Sequence, residues 1–338
     1  MSDFRTPIGF EEALRPPVDV RRARVTCGVL GRPSAGEGSR AQLMRVARRV
    51  PEVMVKITGR TRDAGHLQRH LDYISRNGKL VLEGPDGERL EGRAAVRILA
   101  EDWTAELAAE PGRRRDAPVS LSLVLSMPAG TDPIRVRDSA RAFAQATFGE
   151  RFPWVFALHT DDRHPHVHLT VRMLGRKGER LNPRKADLQA WREGFAWALR
   201  ARGVEAEATP RRARGVTKKA ERLPVRKLRE RFVAGTGPVP RVLAAAAEEA
   251  AVREEKAPAW RRALRERQLR IRWAFVAESL SLGRSDRAQD RARAATIEQF
   301  VRSLPPVETR RDEIARRLDE ARRRDDDDRM LVDRPRRR

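Results

Sequence analysis

HTDDRHPHVHL, His159–Leu169, holds four of the chain's six histidines, at 159, 164, 166 and 168. It sits between two apolar runs rich in β-branched and aromatic residues, PWVFALHT (153–160) and HVHLTVRML (166–174), with DDRHP as the polar connection. That pattern predicts two antiparallel strands joined by a short turn. Side chains alternate faces along a strand, so His166 and His168 point the same way. His159 ends the first strand, and the hairpin brings it opposite them. Three imidazoles are then expected to converge, with Asp161 and Asp162 in the turn. Neutral imidazole nitrogen suits divalent transition metals, and three such ligands leave positions open for a substrate oxygen. His164 lies in the connection and is expected beside the ligands, not among them.

Working outward, VMVKITG (53–59) and VSLSLVLSMP (119–128) read as two more strands. Helical spacing appears at AGHLQRHLDYISR (64–76), at 94–110, at SARAFAQATFGE (139–150) and at about 186–202. NGKLVLEGPDGERLEG (77–92) reads as a hairpin or loop, with turn signals at Asn77-Gly78 and Pro85-Asp86-Gly87. Strands and helices mix without a regular βαβ repeat. The expected fold class is therefore α+β, built on an antiparallel sheet flanked by helices.

The charge pattern divides the rest of the chain. Residues 1–50 are rich in Arg, Pro and Gly and read as a basic, largely disordered leader. A folded domain is expected over 51–215 and a mostly helical basic region over 216–323, interrupted at GTGPVP and LPP. Residues 324–338 read as a charged tail. Residues 200–231 alone hold twelve Lys and Arg against four Asp and Glu.

Over the whole sequence, 72 Lys and Arg against 48 Asp and Glu give a net charge of +24. Such a surplus suits a polyanion, because each neutralised phosphate releases condensed counterions. No apolar run approaches the ~20 residues that span a bilayer, and the N-terminus carries no secretory signal. Cys27 is the sole cysteine, which excludes an intrachain disulfide framework and a cysteine-rich zinc site. The expectation is a cytoplasmic protein that meets nucleic acid and does not insert into membrane.

Histidine-rich metal sites serve hydrolases, dioxygenases and nucleases alike. The basic surface favours a phosphodiester substrate, on which a metal can polarise a non-bridging oxygen. Tyr73, in RHLDYISRNGKL, is the only tyrosine. A phenol can attack phosphorus and hold the energy of the broken bond in a phosphotyrosine. A lone tyrosine on an amphipathic helix is equally a half-buried core residue.

Together these segments resemble the relaxases, or mobilisation nucleases, of the VirD2-like branch of the HUH endonucleases. HTDDRHPHVHL is similar to that family's metal motif, in which a histidine is followed at seven and nine positions by two more: His159, His166 and His168. HLDYISRNGKL resembles the nucleophile motif, and LSMPAGTDP (125–133) the middle motif, whose serine would be Ser126. The likeness covers about residues 50–215 and implies an HUH-type antiparallel sheet. It further implies that Tyr73 attacks a nick site in single-stranded DNA at a plasmid or integrative-element transfer origin. The products would be a 5′-phosphotyrosyl adduct and a free 3′-hydroxyl, with His159, His166 and His168 holding Mg²⁺ or Mn²⁺. Asp161 would orient a ligand imidazole, and Asp162 would approach the metal directly or through water.

Ser126, Arg76 and Lys79 would contact DNA, and Arg176, Lys177, Arg180, Arg184 and Lys185 could line a groove. Implied partners are accessory relaxosome proteins and a type IV secretion coupling protein, with export to a recipient cell bound to DNA. Two other readings stay open: a metal-dependent phosphodiesterase using metal-bound water, and a DNA-binding relaxase homologue without activity.

Overall fold

The structure, a computed structural model, describes residues 37–108, 117–149, 151–217, 221–252, 258–317, 319–320 and 323. Among these it forms two compact units, one running to Thr209 and one beginning at Pro210. The domain end expected at 215 therefore lies six residues earlier, and Arg211–Arg214 form a tight helical turn in the second unit. The expected tail, and the expected leader before residue 37, lie outside the described residues. The end of that leader is corrected. Glu37–Ala47 is a helix, α1, with Leu43, Met44 and Val46 buried and Arg45 paired to Glu207 at 2.6 Å. Its apolar residues are few and arginines surround them, so composition hid a helix that tertiary contacts stabilise.

The first unit is α+β. Its strands are β1 (Met54–Thr61), β2 (Leu82–Glu83), β3 (Arg89–Leu90), β4 (Ser120–Ser126), β5 (Trp154–His159) and β6 (His166–Arg172). They form one antiparallel sheet in the order β1-β4-β6-β5-β2-β3. The helices are α2 (Ala64–Ile74), α3 (Gly92–Ala108), α4 (Pro133–Phe148) and α5 (Lys185–Arg200).

Alternation along the strands assigns each face. In SLSLVLS of β4, Leu121, Leu123 and Leu125 join Val167, Leu169 and Val171 of β6 and Trp154 and Phe156 of β5. That face is covered by α4 and α5 through Phe143, Phe148, Trp191 and Phe195, whose rings meet edge to face at 5.4–6.2 Å. The opposite face carries Val155 and Ala157, and α2 and α3 pack on it through Leu67, Leu71, Ile74, Val96 and Trp103. It also carries the histidines.

Local chemistry sets the helix ends that matter. Asp63 caps α2, its side chain accepting from the His66 amide at 2.7 Å. At the other end Arg76, Asn77 and Gly78 all take positive φ, which stops the helix and turns the chain back. Gly78 is required there, since a Cβ would lie 2.5 Å from the Arg93 amide nitrogen. Asp132 and Pro133 likewise start α4 earlier than the periodicity suggested.

The second unit contains α6 (Leu223–Val233), α7 (Arg241–Ala251), α8 (Ala259–Gly283) and α9 (Ala288–Arg302), with a further helical stretch over 310–317. Breaks fall at GTGPVP and LPP as expected. Phe275 of α8 meets Phe300 of α9 at 4.9 Å in the unit's apolar seam. No described helix is long and apolar enough to cross a membrane.

Phe143 is fully buried at the junction of α4, α5 and the sheet. Phe143→Ala should cost about 3–5 kcal/mol, through lost burial and the cavity left behind. An unfolding free energy from urea titration lowered by less than a quarter of that would show the layer to be less tightly packed.

Candidate active site

The strand register builds the site. His159 of β5 stands opposite His166 of β6, and Ala157 opposite His168. Across β6, Ser126 of β4 faces His166, and Met54 of β1 faces Ser126. One row over four strands therefore reads Met54, Ser126, His166, His159, all on the face away from the aromatic core. The imidazole centroids lie 4.5–5.3 Å apart, and one ring nitrogen from each of the three falls within 4.8 Å of the others.

Backbone carbonyls fix two tautomers. His159 donates from Nε2 to the carbonyl of Ile74 at 2.7 Å, which leaves Nδ1 as an acceptor, met by Arg76 Nη2 at 3.4 Å. His166 donates from Nδ1 to the carbonyl of His164 at 2.9 Å, leaving Nε2 free. Burial, helped by repulsion from His159 and His166, pushes His168 down to about 3. Burial also lowers His159. Deprotonated nitrogens gathered this closely, with carbonyls orienting two of the rings, are what a divalent metal requires. The donor set fits one.

The same helix end that orients His159 carries Tyr73. Its ring is 55% exposed and stands edge-on to His168 at 5.7 Å, with His159 at 6.4 Å. No hydrogen bond engages its hydroxyl among the described residues. Arg76 folds back over Tyr73, its guanidinium carbon 5.6 Å from the ring centroid. Arg76 also pairs with Asp161 and approaches His159 Nδ1 at 3.4 Å.

A cleft of about 500 Å³ opens at these groups, lined by Tyr73, His166, His168, Ser126, Asp162 and His164. Ser126 is nearly buried, whereas Asp162 and His164 are exposed. Asp161 does not orient His159 directly. Its Oδ1 is 3.8 Å from Nδ1, and the orienting contact is the Ile74 carbonyl. Lys79 is exposed in the turn after Arg76 and, like the basic residues from Arg176 to Lys185, does not line the cleft.

Sequence reasoning missed several members. Met54, Val124, Met127 and Pro128 give the cleft an apolar wall, and Glu52 lines it while holding Thr209. The strand row implied Met54 and Val124. Glu52 is tied to a residue 157 positions away and left no sequence signal. His70 also supports the site from α2. One turn before Tyr73, its Nε2 lies 2.9 Å from both Ser122 Oγ and Thr170 Oγ1, pinning α2 to β4 and β6. Burial, with a smaller effect from His66, pushes it down to about 4.

Residues 93–203 match the family model described as relaxase, MobA/VirD2-like, nuclease domain. The match covers about a third of the chain. The matched stretch contains Ser126 and the three clustered histidines and begins after Tyr73. The T-DNA border endonuclease VirD2 of Rhizobium radiobacter is 27% identical over 189 residues, and that of Agrobacterium fabrum 26% over 187. Each alignment takes in 50% of this chain but spans only 44% and 42% of the relative.

Among solved structures, one titled for the molecular basis of vancomycin resistance transfer in Staphylococcus aureus is 16% identical, with a TM-score of 0.33 over 48% of this chain and 99% of that one. The conjugative relaxase TrwC, in a metal-bound complex with oriT DNA, is 13% identical, with a TM-score of 0.31 over 66% of this chain and 98% of that one. Likeness this weak carries no argument about this chain.

Two outcomes test the geometry. His168→Ala should weaken Mn²⁺ binding by roughly 10²-fold or more, read by calorimetric titration; unchanged affinity would place the ion elsewhere. His70 titrates near 6.5 when unfolded and near 4 in the fold. Between those values the unfolded chain binds more protons, so stability is full above about 6.5 and falls as pH drops towards 4. His70→Gln should flatten part of that slope in urea-unfolding midpoints at about pH 7 and 4.5. A slope identical in both proteins rules out burial of neutral His70 as its source.

Proposed function

We propose that the chain is a DNA-nicking and strand-transfer enzyme in which Tyr73 is the nucleophile. The observation that carries the reading is an exposed tyrosine ring at 5.7 Å from His168, over a cleft lined by two of the three clustered imidazoles. A half-buried core tyrosine would not be presented in this way, and this favours tyrosine chemistry over hydrolysis by metal-bound water.

In this reading the substrate is a single strand at a transfer origin of a plasmid or integrative element. Tyr73 loses its hydroxyl proton and its oxygen bonds to the scissile phosphorus. The bond from phosphorus to the 3′-oxygen breaks, and that oxygen leaves as a 3′-hydroxyl after taking up a proton. The 5′ side stays on Tyr73 as a phosphodiester. Little free energy is lost, so attack by a 3′-hydroxyl rejoins the strand and releases the tyrosine.

His159, His166 and His168 hold a divalent ion, which supplies charge to a non-bridging phosphate oxygen. Three nitrogen donors without a carboxylate suit Mn²⁺ better than Mg²⁺, which prefers oxygen. Arg76 adds a guanidinium beside Tyr73, where it meets phosphate. His70 and the Ile74 carbonyl position the helix end and the His159 ring. Accessory proteins that open the duplex, and a type IV secretion coupling protein, complete the expected setting.

The test is covalent capture on labelled single-stranded DNA from the region beside the gene. Wild type with Mn²⁺ should give an SDS-resistant adduct that Tyr73→Phe lacks and that chelation suppresses. Cleavage without an adduct, equal in both proteins, would sink the tyrosine mechanism and favour metal-bound water.

A further inference from the structure

The second unit carries a surface that the nicking chemistry does not use. Helix α8 is apolar on two faces. One face packs on α9 through Ile271, Ala274, Phe275 and Leu282, against Ala294, Ile297 and Phe300. The other bears Leu269, Trp273 and Leu280, which are 51%, 68% and 58% exposed, with half-buried Val276 between them. These four are spaced four, three and four residues apart, the repeat of a helix seam. A surface helix normally shows water a polar face.

We propose that this face of α8 pairs antiparallel with α8 of a second copy of the chain. The spacing reads the same in both directions. Turned end for end, it sets Leu269 against Leu280 of the other copy and Trp273 against Val276, twice over about a two-fold axis. The exposed charges at the rim agree with this register. Glu266 comes within one residue of Arg284 of the other copy, the C-cap position of α8. Arg270 and Arg272 meet Ala277 and Ser279 and so avoid like charge.

Four apolar side chains per copy bury less than the roughly 1,200–2,000 Å² of a stable interface, so the pair is reversible. The chain's surplus of +24 opposes it further. Rising ionic strength must therefore strengthen self-pairing. An acidic helix or a nucleic acid docked on the same arginine-rimmed face would be released by salt instead.

The experiment uses the full chain, freed of nucleic acid, in a Cys27→Ser background. Sedimentation from about 1 to about 200 µM should show a monomer–dimer equilibrium that tightens between about 0.1 and 0.5 M salt. Trp273→Glu should weaken it by about 10-fold or more with an unchanged circular dichroism spectrum. Leu269→Cys with Leu280→Cys should oxidise to a covalent dimer. Within one helix those positions are about 16 Å apart and cannot join, so the bond must run between copies. Either single-cysteine variant should stay monomeric on the same gel, its two thiols being as far apart across the axis. A monomer at every concentration overturns the proposal, as do equal cross-linking by single-cysteine variants and a dimer indifferent to Trp273→Glu.

Discussion

The pairing of His159 with His166 across β5 and β6 is the constraint on which the site depends. Backbone hydrogen bonds along two strands hold it, so the imidazoles need no loop to gather them. A slip of one residue on β6 would send His166 and His168 into the layer of Val167, Leu169 and Val171, and those valines and leucine outward. The apolar face therefore enforces the polar one. Every aromatic ring packed under α4 and α5 helps to hold three nitrogens within reach of one another.

The second constraint is the end of α2. Its last residue, Ile74, lends a carbonyl to His159 while its neighbour Tyr73 stands over His168. Apolar contacts at Leu67, Leu71 and Ile74 seat the helix, and His70 adds two polar contacts to the sheet. The run of positive φ at Arg76, Asn77 and Gly78 then ends the helix abruptly and returns Arg76 to the site. Nucleophile candidate, ligand orientation and local cation thus share one short segment.

Much of this was legible because the relevant patterns are local. Four strands of the sheet and the helix bearing Tyr73 follow from period-2 and period-3.6 spacing, and the H-x-H alternation placed two imidazoles on one face. What was not legible depended on partners far along the chain. Helix α1 needed Glu207 and the core to reveal it, and Glu52 reaches Thr209. His70 falls on the same helix face as Leu67, Leu71 and Ile74, but its partners there are hydroxyls of β4 and β6 that helical spacing does not announce. Asp161 was expected to orient an imidazole because carboxylates commonly do so. Here a carbonyl was closer, and Arg76 claimed the acid.

Charge is distributed in a way that separates attraction from chemistry. The chain carries +24, yet among the described residues no lysine or arginine lines the cleft, and Arg76 at its edge is paired with Asp161. Long-range attraction of a polyanion therefore comes from the wider surface and weakens with salt. Within the cleft, burial lowers His159 and His168, so these imidazoles add no positive charge at neutral pH. A divalent ion held by neutral ligands keeps its full charge for a phosphate oxygen, whereas carboxylate ligands would offset part of it. Fixed cations lining the cleft would hold substrate and product strands alike, and tight ground-state binding does not speed a chemical step. In the proposed reaction, keeping the cationic surplus outside the cleft would leave the strand attracted overall but free to move at the point of reaction.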